Sequence, residues 1–97
     1  MDSYNIAITI KTPEGMLDIG SFFLGVDSEF AYTTFKNLKG DIQVLSDPII
    51  RIDLIKKEDG ILPIPLKSIG CTLDQYTENC KIIARDVFKF LMLEKRV

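Results

Sequence analysis

The sequence predicts an α+β fold: a two-layer ββαββα sandwich in which a four-stranded antiparallel sheet of order 2-1-3-4 carries two helices on one face. Three observations predict it. The chain runs twice through the same signals: an isoleucine-rich strand, an acidic-Gly turn, a second strand, a glycine and a capped helix. The isoleucines of the first and third strands fall on alternate positions, the period of a half-buried strand. Prolines inside a strand occur only in the fourth, which places that strand at an edge.

The first strand, Tyr4 to Lys11, sets Tyr4, Ile6, Ile8 and Ile10 on one face and Asn5, Ala7, Thr9 and Lys11 on the other. Thr12-Pro13-Glu14-Gly15 is a turn, with Pro fixing φ and Gly free to adopt positive φ. Met16 to Leu24 returns as the second strand, with Leu17, Ile19 and Phe23 assigned to one face by simple alternation. Asp27 caps the helix that follows, because its carboxylate can accept from the free N–H groups of the first turn. Phe30, Ala31, Thr34, Phe35 and Leu38 form that helix's apolar stripe, and Gly40 is its stop.

The second unit repeats the plan after a connection over 41–48 that ends in the turn signal Ser46-Asp47-Pro48. Ile50, Ile52 and Leu54 face one way, and Lys57-Glu58-Asp59-Gly60 turns the hairpin. The fourth strand, Ile61 to Lys67, carries Pro63 and Pro65. Thr72-Leu73-Asp74-Gln75 is a capping box. The helix it opens runs to about Glu94, with Leu73, Tyr76, Cys80, Ile83, Ala84, Val87, Phe90 and Leu91 on its core stripe and Lys95 and Arg96 at its dipole-favoured end.

The whole chain, 1–97, reads as one domain with pseudo-repeats at about 4–40 and 49–95. The expected core joins Ile6, Ile8, Ile10, Leu17, Ile19, Ile50, Ile52 and Leu54 to Phe35, Leu38, Tyr76, Cys80, Ile83 and Val87. This element order is the connectivity of a circularly permuted ferredoxin-like sandwich, with that fold's pseudo-symmetry.

Composition argues against whole classes of function. With 12 basic against 14 acidic residues and a net charge of −2, no bulk positive field exists to attract nucleic acid. No apolar run approaches the roughly 18 residues of a membrane span, and the first residues lack the basic-then-apolar pattern of a secretory signal. The chain has no histidine. That removes the usual general base near neutral pH and the common nucleophile pairs and zinc sites. No phosphate-loop or dinucleotide fingerprint is present. The expectation is a non-enzyme with no cofactor, no metal and no catalytic residue.

Cys71 and Cys80 lie nine positions apart, roughly 13 Å if both sit on one helix, which is beyond disulfide reach. Two free thiols point to a reducing compartment, and the cytoplasm is the expected location. Cys71, just ahead of the second helix, is the one reactive-thiol candidate, because a helix N-terminus stabilises thiolate. The plainer reading makes it a small apolar residue at the helix start. Asp18, Asp53, Glu58 and Asp59 supply carboxylates but no mechanism, and capping accounts for the glycines before both helices without a bound anion.

The surface that points outward is apolar. On the second helix Ile82, Phe88, Met92 and Leu93 exceed what the core stripe needs, and contiguous exposed apolar area marks association sites. The outer sheet face, with Ala7, Thr9, Gly20 and Ser21 or Phe22, is small and weakly charged, a second route for packing. The sequence thus predicts a protein-interaction or self-associating module, a homo-oligomer such as a homodimer or the partner of another protein. The alternatives are a small-ligand-binding regulatory domain and a thiol-dependent enzyme using Cys71.

Overall fold

The structure, a computed structural model, describes residues 2–41 and 49–93, with side chains described through residue 90. The first hairpin is β1 (Ser3–Thr12) and β2 (Gly15–Gly25), followed by α1 (Ser28–Lys36). The second is β3 (Ile50–Lys57) and β4 (Ile64–Cys71), followed by α2 (Leu73–Val87) and a π-helical segment, Phe88–Leu93. The strands form one antiparallel sheet of order β2-β1-β3-β4. The isoleucine strands are central and the proline strand is at an edge, as their side-chain chemistry requires.

β1 and β3 pair without irregularity from Ser3 opposite Lys57 to Ile10 opposite Ile50. Opposed residues share a face, so Tyr4, Ile6 and Ile8 meet Ile50, Ile52 and Leu54 on the helical side, and all six are buried. Ala31 and Phe35 of α1 and Ile83 of α2 close the same core. Burying each of these aliphatic side chains contributes about 1.5–3 kcal/mol. Phe30, Leu38, Tyr76, Val87 and Ile10 pack around them, partly buried.

Both helices begin as their sequences predict. Asp27 accepts from the Phe30 N–H at 3.0 Å. Thr72 and Gln75 form the reciprocal capping box, at 3.2 Å from the Gln75 N–H to Thr72 Oγ1 and 2.9 Å from the Thr72 N–H to Gln75 Oε1. α1 stops earlier than expected, with Asn37 as its C-cap. Gly40 lies beyond it and has a different task. Residues 39–41 are held from two sides: Asp41 exchanges backbone hydrogen bonds with Gly70 of β4 at 3.0 and 3.1 Å. The buried Asn79 of α2 accepts from the Lys39 N–H at 2.6 Å and donates to the Lys39 carbonyl at 2.8 Å. At Gly40 a Cβ would stand 2.7 Å from the Gly70 carbonyl oxygen. A close approach of two backbones, more than a helix stop, requires glycine here.

β2 departs from the expected core. Leu17 is 56% exposed and Ile19 41% exposed, whereas Leu24, absent from the expected core, is fully buried. Leu17 keeps the core face, opposite the partly buried Ile10, and is exposed near the hairpin end. Ile19 and Leu24 are displaced by two register shifts in the β1–β2 ladder, one between Ile8 and Thr9 and one between Tyr4 and Asn5. Ile8 stands opposite Gly20 and Thr9 opposite Asp18, so Ile19 is an extra residue, a β-bulge. Past that point the strand's parity is reversed: Phe22 joins the core beside Ile6, and Phe23 turns to the outer face opposite Asn5.

β4 starts at Ile64, later than expected, after a turn in which the Ile61 N–H donates to the Glu58 carbonyl at 3.2 Å. It carries its own shift, with Leu54 opposite Lys67 and Ile55 opposite Pro65. α2 gives way after Val87 to the π-helical turn, which brings Phe90 flat against Phe30 of α1, ring centroids 4.1 Å apart. The turn signal at 46–48 and the helix end at 94–96 lie outside the described residues.

Candidate interaction surface

The apolar surface expected on α2 changes once placed. Ile82 is buried, 7% exposed, because its flank of the helix is covered, so it offers nothing to a partner in this chain. Phe88 is 55% exposed, as a surface residue should be. The side chains of Met92 and Leu93 lie outside those described.

Cys71 ends β4 opposite Ile50, almost wholly inaccessible. Burial pushes its thiol up from the ordinary cysteine range, with the neighbouring Cys80 adding to the shift. That opposes thiolate formation, and the helix start beside it is already satisfied by Thr72 and Gln75. The hydrogen bond to Cys80 is the main cause of a raised Tyr76 pKa.

Two of the candidate carboxylates, Asp53 and Glu58, are held in ion pairs. Asp53 accepts from Arg51 Nε at 2.9 Å and from the Ser68 hydroxyl, a cross-strand network on the outer sheet face. Glu58, at 2.9 Å, and Asp2, at 3.3 Å, flank Lys56 and hold its ammonium charged far above the usual lysine range. No cluster of three or more metal-ligating side chains exists among the described residues. Nor is any helix among them long and apolar enough to cross a membrane.

A hollow of about 610 Å³ lies between the end of α1 and β4. Phe35, Leu38, Leu66 and Ile69 line its floor, with Lys36 and Lys67 at its mouth. Every buried polar side-chain atom among the described residues already has a partner.

The two edges of the sheet are unlike. β4 carries Pro65 and the short bridge to Asp41, two devices that block strand addition and that β2 lacks among the described residues. Among the described residues β2 pairs only with β1. Its eleven residues contain no proline, no lysine and one charge, Asp18. Met16, Leu17, Ile19 and Phe23, all exposed large hydrophobic side chains, follow one another along it, with Val26 just beyond.

The backbone of that edge can be oriented from the ladder. Lys11 donates its N–H to the Ile49 carbonyl at 2.8 Å, on the β3 side. In an antiparallel pair, opposed residues turn their N–H and C=O groups either toward each other or both away. Met16 is opposite Lys11, so its backbone groups face the free edge. Alternation along the regular β1 extends this to Thr9, Ala7 and Asn5, and hence to their partners Asp18, Ser21 and Phe23. The bulge residue makes the spacing of these four outward positions two, three and two. Sequence alternation alone missed this. The signal that marks it is Gly20, an isolated glycine inside a strand pattern.

Comparison with protein-family models, curated proteins and solved structures finds no match in any of the three.

Proposed function

We propose that this chain is a protein-interaction module whose docking surface is the free edge of β2. The observation that carries the reading is the concentration of exposed large hydrophobic residues on the strand edge that carries neither a proline nor a covering bridge among the described residues. Unpaired backbone groups give such an edge affinity for an extended segment, and apolar side chains on both of its faces add burial. Phe88 at the end of α2 is a secondary contact.

The reading is of a non-enzymatic protein, and the absence of histidine from the chain supports it. Two free cysteines support a reducing compartment, the cytoplasm, as its location.

The test is a photoreactive benzophenone amino acid in place of Phe23, with the same group at the exposed helix residue Glu78 as control. A discrete adduct to a polypeptide is expected from position 23 and none from position 78. The position-23 adduct is lost with Ser21→Pro, which removes an outward N–H. No adduct at position 23 refutes the reading.

A further inference from the structure

We propose that the polypeptide docking on β2 is a second copy of this chain, added antiparallel about a twofold axis between Ile19 and Gly20; this rests on the reading of the β2 edge above. The argument is one of register. A regular strand presents outward backbone groups at every second residue, so it meets half of this edge and then runs out of phase at the bulge. Bulges ordinarily protect edges in this way. A second copy of β2 carries the same two-three-two spacing, and that spacing reads the same in reverse.

In one antiparallel register all four outward positions therefore match. Met16 faces Phe23 of the second copy, Asp18 faces its Ser21, and the two remaining pairs follow by symmetry. Every other antiparallel register matches at most two of the four. An in-register parallel pairing sets the two Asp18 carboxylates side by side, which is unfavourable.

The side chains agree with the matched register. Met16 and Phe23, both exposed in the single chain, form an apolar cross-strand pair. The only charge on the strand meets a hydroxyl donor. Ile19 lies beside Gly20 of the second copy, and the space where a Gly20 Cβ would sit has no neighbour within 4 Å. Residues 16–23 give about 27 Å of new ladder. The two four-stranded sheets become one of eight strands, and the contact is isologous and closed, as a dimer interface must be.

The test is sedimentation equilibrium on the intact chain and three variants at the exposed Ser21, each checked for an unchanged thermal midpoint. The wild type is expected to sediment at twice the chain mass. Ser21→Asp opposes a carboxylate to Asp18 twice per dimer and weakens association roughly tenfold. Ser21→Lys supplies two opposite-charge pairs and tightens it severalfold. Ser21→Pro gives monomer.

A wild type that stays monomeric at millimolar concentration overturns the dimer. If Asp and Lys at position 21 shift association in the same direction, or neither shifts it, the register is overturned. A monomeric chain whose position-23 adduct contains a different polypeptide rejects the second copy and leaves the β2 docking surface standing.

Discussion

Replacing Asn79 by alanine removes a side chain that ties α2 to the segment following α1. The amide is fully buried and makes both of its hydrogen bonds to the Lys39 backbone, 40 residues away in the chain. Each bond contributes about 0.5–1.5 kcal/mol net, and truncation also leaves Lys39 N–H and C=O without their partners in a part-buried position. With the small void added, the loss is about 2–4 kcal/mol. A domain of this size holds roughly 5–15 kcal/mol in total. The thermal midpoint should fall by about 10–30 °C. Urea unfolding should show a lower midpoint at an unchanged slope.

Asn79→Asp separates the hydrogen bonds from the volume. It keeps the oxygen that accepts from the Lys39 N–H but turns a second oxygen to the Lys39 carbonyl. Burial and that carbonyl favour the protonated acid, so the folded state binds the proton more tightly than the unfolded chain, whose carboxyl titrates near 3.9. Stability of this variant therefore falls as pH rises above about 4, and the variant should be less impaired at pH 4 than at pH 7 relative to wild type. A cost for Asn79→Ala under about 0.5 kcal/mol, or an aspartate variant worse at pH 4, refutes the clamp.

Three further outcomes are expected. Gly40→Ala drives a Cβ to 2.7 Å from the Gly70 carbonyl oxygen and 3.1 Å from Ile69 Cδ1, so it should destabilise by about 1–3 kcal/mol in urea unfolding, where a surface glycine would gain stability from the same change. Leu24→Ala should cost about 2–5 kcal/mol and Leu17→Ala under about 0.5 kcal/mol, measured on monomer, because the first is fully buried and the second is 56% exposed. Stability should decline from pH 8 to pH 10, since the raised Cys71 thiol and Tyr76 hydroxyl keep protons that the unfolded chain releases, and Lys56 holds its charge longest when folded. A flat or rising unfolding free energy over that range contradicts those shifts.

The architecture was legible in the sequence because each device that sets it is local. Alternating Ile6, Ile8, Ile50 and Ile52 define the buried face, Asp27 and Thr72 start the helices, and Pro65 sends its strand to the edge. What was not legible depends on pairing. Whether Phe23 or Leu24 reaches the core is decided by one inserted residue in the β1–β2 ladder, and alternation carries no memory of an insertion. Asn79 has no periodic signature, because its partner is the backbone of a loop. Ile82 fell on the wrong side of the expected surface because neighbouring elements cover more of α2 than its stripe implies.

The insertion at Ile19 links the fold to the proposed association. Without it, Phe23 falls on the same face as Leu17 and the core residues, and the edge of β2 presents an ordinary, evenly spaced ladder open to any extended chain. With it, apolar side chains move to solvent on both sides of the strand while the ladder acquires an interval that few strands match. An edge altered in this way loses general stickiness but keeps its exposed hydrophobic area. That combination is expected of a surface selective for one partner. Deleting Ile19 should therefore act oppositely on the two properties: the restored even ladder becomes prone to concentration-dependent aggregation, and the defined dimer disappears. Light scattering and sedimentation on the same sample distinguish this from a deletion that merely unfolds the chain, since circular dichroism retains the strand signal only in the first case.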